Sequence, residues 1–99
     1  MTPSWIYFLH APRKNFAETM SEEEQQIMGL HAQHLQKLLD EGTLIIGGPT
    51  LGEVNTGIAI FDAPDEQAAR DILAADPAVS SGLLEGELRP YLAGFLRGR

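Results

Sequence analysis

The chain has 99 residues and a formal charge of −7, from 14 acidic and 7 basic side chains, and 43% of its residues are hydrophobic. This composition predicts one globular domain over residues 1–99, and it argues against nucleic acid and anionic membrane surfaces, which need clustered Lys and Arg. The chain has no cysteine and no long apolar run, so disulfides, thiol nucleophiles and a membrane span are excluded and a cytoplasmic protein is expected.

The first predicted strand covers residues 5–11, WIYFLHA, where aromatic and β-branched side chains dominate. Alternation along a strand places its side chains in two sets on opposite faces: Ile6, Phe8 and His10 on one, and Trp5, Tyr7 and Leu9 on the other. Pro12 then ends the strand.

A long helix is predicted from about Ser21 to Glu41. Ser21 and Glu24 have the spacing of a capping box, in which each side chain binds the other residue's backbone N–H. Gly42 provides the stop signal at the other end.

The second half of the chain continues with short elements. Strands are predicted over 43–49 and 57–63, a helix over 65–76, one helical turn after Pro77, and a last strand over 86–96. Pro90 inside this strand indicates an edge position or a bulge. The order β-α-β-β-α-β predicts an α+β, ferredoxin-like sandwich: a four-stranded antiparallel sheet with two helices on one face.

Two helices cover only one face of such a sheet, so the other face is open. We expect Trp5, Tyr7 and Leu9 to line this open face, together with apolar residues of the third strand. An apolar sheet face on a small acidic protein predicts a homodimer packed sheet to sheet.

His31 and His34 lie on the long helix. At about 100° per residue, His31 falls within the apolar stripe and His34 at its flank. One interpretation is a core histidine bound to a backbone carbonyl. A second interpretation is a metal site in which His10 and Asp76 complete the ligands of the helical histidine pair. The HExxH spacing of metalloproteases is absent, however, and no metal is expected. The third is general acid/base chemistry, which needs a carboxylate that orients the imidazole.

Asp76 is the candidate carboxylate, in the stretch AADPAVSSGL. It ends the second long helix just before Pro77, where its charge opposes the helix dipole. The same position suits an N-cap of a turn that starts at Pro77. Both roles, the cap and the partner of His31, stay open from the sequence.

Two segments resemble the YciI-like (YCII-related) family: HAQHLQKLLDEGTLIIGGP at 31–49 and ADPAVSSGL at 75–83. The closing ELRPYLAGF and the opening YFLHAP are similar to the family as well. The resemblance implies a dimeric α+β barrel of ferredoxin-like subunits with a His–Asp pair, here His31 and Asp76. It also implies a likeness to a dehydrochlorinase of a chlorinated hydroxyhydroquinone. The loop TLGEVNTG is shorter than in some members, and His10 is an additional histidine.

The function expected from these residues is cofactor-free acid/base chemistry on a small molecule, of the elimination (dehydrochlorination) or isomerisation type. His31 and Asp76 are the candidate catalytic residues, and His10, Tyr7 and Ser80 are candidates for substrate binding. The glycines of IIGGPTLG predict a tight turn, since the Lys of a phosphate loop is missing. The alternative is a non-catalytic module that binds or senses a small molecule. A catalytic pair requires imidazole and carboxylate within about 2.6–3.2 Å or one water apart.

Overall fold

A computed structural model describes residues 3–98. Its elements follow the predicted order, including the helical turn after Pro77, and one short helix is added after the first strand. In chain order they are β1 (Ser4–His10), α1 (Phe16–Thr19), α2 (Glu22–Asp40), β2 (Leu44–Pro49), β3 (Thr56–Phe61), α3 (Glu66–Ala75), α4 (Pro77–Ser80) and β4 (Glu85–Tyr91). The predicted α+β, ferredoxin-like class is confirmed. Among the helices and strands of residues 3–98, α1 is the one that the sequence did not predict.

The sheet is antiparallel throughout, with the strand order β2-β3-β1-β4. β4 is therefore an edge strand, as Pro90 predicted. The expected extension of this strand to residue 96 is wrong, because β4 ends at Tyr91. Tyr91 pairs with Ser4, the first residue of β1, so the last residue of β4 lies opposite the first residue of its neighbour.

The capping box predicted at the start of α2 is present. Ser21 Oγ accepts the backbone N–H of Glu24 at 3.2 Å, and the Glu24 carboxylate accepts the N–H of Ser21 at 2.8 Å. Gly42 follows the helix with a φ of 78°, a left-handed conformation that favours glycine. These two signals set the limits of α2 and hence the direction in which each of its side chains points.

The helices pack on the face of the sheet that carries Tyr7 and Leu9, which are 0% and 1% exposed. Tyr7 meets Phe61 edge-to-face, with ring centroids 5.6 Å apart, and Trp5 packs against the same core. The expectation that Trp5, Tyr7 and Leu9 line the open face is therefore wrong. Strand alternation defines two sets of side chains, but only the contacts with the helices decide which set is covered.

The opposite side of the sheet, called the open face below, is formed by the other set of β1 side chains and their cross-strand neighbours. Its apolar members include Ile6, Phe8, Ile46, Ile58 and Ile60. Charged side chains border them: Arg89 lies 6.0 Å from the ring centre of Phe8 and binds Glu87. Between residues 3 and 98, no helix is both long and apolar enough to cross a membrane. The cytoplasmic location stays a prediction.

Candidate functional site

Asp76 lies at the junction of α3 and α4 and is completely buried. Its extended backbone, with φ −68° and ψ 121°, ends α3, and Pro77 starts α4 at the next position. The carboxylate Oδ1 accepts the backbone N–H of Ala78 at 2.9 Å, the bond expected of an N-cap. The cap role considered from the sequence is thus present in the structure.

The same carboxylate also meets His31 of α2. His31 Nδ1 lies 2.9 Å from Oδ1 and 2.8 Å from Oδ2 of Asp76, within the distance that a catalytic pair requires. The two roles that the sequence left open for Asp76 are therefore compatible. A carboxylate has two oxygens with several lone-pair sites, and this one is used by both a backbone and a side-chain donor.

Tyr7 supplies a third donor from the sheet. Its hydroxyl donates to Asp76 Oδ2 at 2.8 Å, so β1, α2 and the α3–α4 junction converge on one buried carboxylate. Burial first, and then the charge of Asp76, raise the pKa of the Tyr7 phenol well above its ordinary value. Tyr7 therefore stays protonated and donates a hydrogen bond to Asp76.

The electrostatics of the carboxylate follow from these donors. Burial alone raises the pKa of Asp76, but the hydrogen bonds from His31, Ala78 and Tyr7 outweigh it and hold the pKa below its ordinary value. Asp76 is consequently ionised and accepts hydrogen bonds only. It follows that His31 Nδ1 carries a hydrogen, and that in the neutral imidazole the lone pair resides on Nε2.

His31 lies in the wall of a cavity of about 310 Å³ between the helices and the sheet. Its side chain is 14% exposed. The wall is mainly apolar and includes Leu9, Phe16, Met20, Met28, Leu35 and Leu84. The imidazole of His31, whose Nδ1 is hydrogen-bonded to the buried carboxylate of Asp76, therefore lies at an apolar cavity of the size of a small-molecule site.

Of the three residues expected to bind substrate, Tyr7 lines this cavity, whereas His10 and Ser80 do not. His10 is on the open face, where its Nε2 lies 3.1 Å from Glu87 and its ring stacks on Phe8. Ser80 is exposed on α4 and absent from the cavity wall. His10 is directed away because it belongs to the other alternation set of β1. Ser80 is the last residue of α4, the turn that Asp76 caps.

His34, the second histidine of α2, lies outside the cavity wall. His34 Nε2 lies 3.2 Å from the carbonyl oxygen of Ile72, which ties α2 to α3, as befits a residue at the flank of the apolar stripe. No group of three or more His, Cys, Asp or Glu side chains within residues 3–98 is placed to hold a metal ion.

Sequence reasoning missed two features of the site. It listed Tyr7 as a candidate for substrate binding but did not foresee that the hydroxyl binds Asp76. It also missed α1, which brings Phe16 and Ala17 to the cavity wall. The alternation of β1 placed Tyr7 and Leu9 on one face, but α1 has only four residues and too little periodicity to be recognised.

This arrangement defines a class of protein: a small ferredoxin-like domain in which a buried carboxylate holds an imidazole at an apolar cavity. The chain belongs to the YCII-related family, whose domain model matches residues 5–90. The resemblance noted in the sequence is thereby confirmed.

The comparison with solved structures finds a dehydrochlorinase with the same fold. It is the 5-chloro-2-hydroxyhydroquinone dehydrochlorinase TftG from Burkholderia phenoliruptrix AC1100, in complex with 2,5-dihydroxybenzoquinone. The TM-score is 0.67 at 17% sequence identity, and the match covers 91% of this chain and 95% of the other. No curated protein matches the chain.

Proposed function

We propose that the protein is a cofactor-free enzyme that moves a proton on a small organic molecule, with His31 as the general base and acid. The observation that carries this proposal is the hydrogen bond between His31 Nδ1 and the buried Asp76, at 2.8 Å. It directs Nε2, the basic nitrogen, away from the carboxylate while the imidazole lines the cavity.

In the proposed mechanism, Nε2 removes a proton from a carbon next to a carbonyl or from a phenolic hydroxyl. The imidazolium that forms is stabilised by the negative charge of Asp76, which stays ionised. Tyr7 and the N–H of Ala78 orient Asp76, to which both donate hydrogen bonds. Proton return from Nε2 completes an isomerisation, and loss of a leaving group completes an elimination.

The family and the structural neighbour support an enzymatic interpretation. TftG is named a dehydrochlorinase, and dehydrochlorination removes a proton and a chloride from the substrate. A base at an apolar cavity is the component that this reaction shares with isomerisation. The alternative, a module that binds a small molecule without chemistry, uses the same cavity and predicts binding without proton transfer.

Solvent exchange separates the two functions. The protein is incubated in D₂O with a panel of enolisable ketones and phenols, neutral and charged, and deuterium incorporation is followed by NMR. We expect accelerated exchange for at least one compound and its loss in His31→Gln. His34→Gln is the matched control, because His34 binds the backbone of Ile72. Binding without exchange would establish the binding module instead.

We also propose that two copies pair through the open face. Phe8, Ile58 and Ile60 form its apolar centre, and the Arg89–Glu87 pair lies at the side, with Arg89 Nη2 2.6 Å from the carboxylate. An apolar centre with charged residues at its border is the usual composition of a protein interface. The family resemblance to dimeric α+β barrels supports the same surface.

A further inference from the structure

The cavity wall contains few polar side chains, and nearly all of their polar atoms form hydrogen bonds within the protein. Among the residues that line it, polar side chains belong to Tyr7, His31 and Asn55. Asn55 is 9% exposed; its amide nitrogen donates to two loop carbonyls and its oxygen accepts the N–H of Ala17. Its function is to hold the loop after β2 against α1, and no donor is left for a ligand.

Tyr7 is engaged as well, since its hydroxyl donates to Asp76. Nε2 of His31 has no hydrogen-bond partner within residues 3–98, and the same residues contain no buried side-chain nitrogen or oxygen that lacks a partner. Nε2 is therefore accessible, and among the polar side-chain atoms of this wall it is the one that can form a hydrogen bond with a ligand.

The wall also carries no formal charge. Within the described part of the chain, none of the lining residues is Lys, Arg, Asp or Glu. Moving a carboxylate or phosphate into such surroundings without a paired cation is strongly unfavourable. The cavity is therefore suited to a ligand that enters uncharged.

The volume limits the size of the ligand. An apolar cavity of about 150 Å³ accommodates benzene, and the cavity here has about 310 Å³. One substituted ring or two fused rings fill this space. Nε2 then meets one polar hydrogen or carbonyl-activated C–H of that ring, while the remaining surface contacts apolar side chains such as Met28 and Leu35.

We infer that the substrate is a neutral, largely apolar cyclic ketone or enol, and that the reaction is a proton shift within it. This inference rests on the proposed function of His31. Nε2 takes the proton from the carbon next to the carbonyl, and the C–H electron pair forms the enolate C=C bond while the carbonyl π pair moves to oxygen. The imidazolium returns the same proton to another carbon of the conjugated system, so no co-reactant is required.

The apolar wall also favours isomerisation over elimination. A departing halide would need hydrogen-bond donors, and the imidazolium N–H is the side-chain donor that this wall offers. In a proton shift, the negative charge stays on the substrate beside that imidazolium and disappears when the proton returns. The isomerisation therefore never separates an unpaired ion in apolar surroundings.

Binding tests the substrate class. Calorimetry compares β-tetralone, a neutral fused-ring ketone, with the same ketone carrying a ring carboxylate. We expect the carboxylate to bind weaker by a factor of about ten or more. Ala32 lines the cavity on the exposed side of α2, and Ala32→Lys is expected to restore binding of the carboxylate. Equal or tighter binding of the carboxylate by the unmodified protein overturns the inference.

Turnover tests the reaction. A β,γ-unsaturated cyclohexenone should be converted to its conjugated isomer, which absorbs in the ultraviolet, and His31→Gln should abolish the conversion. In D₂O, part of the product should retain the transferred hydrogen. Proton exchange that favours charged compounds overturns this inference while the proposed function stands. Selective binding of neutral ketones without any exchange overturns the proposed function itself.

Discussion

His31 Nδ1 lies 2.8 Å from Oδ2 of Asp76, although α2 and the α3–α4 junction are far apart in the sequence. The carboxylate is 0% exposed, and the imidazole is close to the cavity. A buried charge is unfavourable unless it is hydrogen-bonded. Here His31, Tyr7 and Ala78 supply the donors, so the arrangement that stabilises Asp76 also determines the orientation of the imidazole.

Replacing Asp76 by Asn is expected to reduce proton exchange by a factor of about 10² to 10⁴, because the amide no longer favours Nδ1–H or stabilises the imidazolium. The measurement is the deuterium incorporation rate of a responsive compound in D₂O. Asp71→Asn on α3 is the matched control, since Asp71 is exposed and binds Gln67. An Asp76→Asn protein that folds and exchanges at the normal rate would exclude a catalytic role for the pair.

Acid should destabilise the protein partly through Asp76. Because its pKa in the folded state is below the ordinary value, the ionised carboxylate stabilises the fold above about pH 4. This contribution is lost as the pH falls through the lowered pKa. The free energy of unfolding in urea should therefore fall less between neutral pH and about pH 3 in Asp76→Asn than in the unmodified protein. Parallel decreases would show that Asp76 has no perturbed pKa.

Tyr7 should act in the opposite pH range. Its pKa is raised by burial and by the charge of Asp76, so its neutral form stabilises the fold below the ordinary tyrosine value of about 10. This contribution declines as the pH rises above that value. Tyr7→Phe should lower the free energy of unfolding by about 1.5–3 kcal/mol at neutral pH, the usual contribution of a hydrogen bond to a charged group. It should also reduce the loss of stability at alkaline pH.

Urea unfolding at neutral pH and at about pH 11 measures both effects of Tyr7. Tyr91→Phe is the control, because Tyr91 is 40% exposed at the end of β4. An alkaline loss of stability that is identical in Tyr7→Phe and the unmodified protein would contradict the assignment of the buried phenol as the donor to Asp76.

The proposed dimer can be disrupted from the centre of the open face. Phe8→Glu places a charge among Ile58 and Ile60, and the burial of an unpaired carboxylate should convert the dimer to monomers. Sedimentation velocity at micromolar concentration measures the mass. Leu51→Glu is the control, because Leu51 is 89% exposed and follows β2. An unmodified protein that sediments as a monomer would contradict the proposal directly.

The predictable parts of the fold follow from local chemistry. The capping box at Ser21 and the left-handed Gly42 define α2 from sequence alone, and the apolar stripe places His31 inward. The covered face of β1 was assigned wrongly, because alternation is symmetric between faces. The last residue of β4 pairs with the first residue of β1, and a pairing between strands cannot be read from the sequence of one strand.

In the candidate site, too, local patterns could be predicted from the sequence and contacts between elements could not. Spacing on α2 and the Asp-Pro step suggested His31 and Asp76, but no local pattern indicates that their side chains meet across α2 and α4. His10 and Ser80 were chosen by residue type, and the structure places them outside the cavity. The apolar wall was not foreseen, since it is assembled from the covered face of the sheet, from α2 and from α1, and only the tertiary packing brings these together.

The tautomer of His31 tests the central claim most directly. Long-range ¹H–¹⁵N NMR of the imidazole, recorded at about pH 8.5 where a neutral ring is normally dominant, identifies which nitrogen carries the hydrogen. The account predicts Nδ1–H with an unprotonated Nε2, and a shift toward Nε2–H in Asp76→Asn. A folded, unmodified protein in which Nε2 carries the hydrogen would contradict it, because the nitrogen at the cavity would then have no lone pair with which to take a proton.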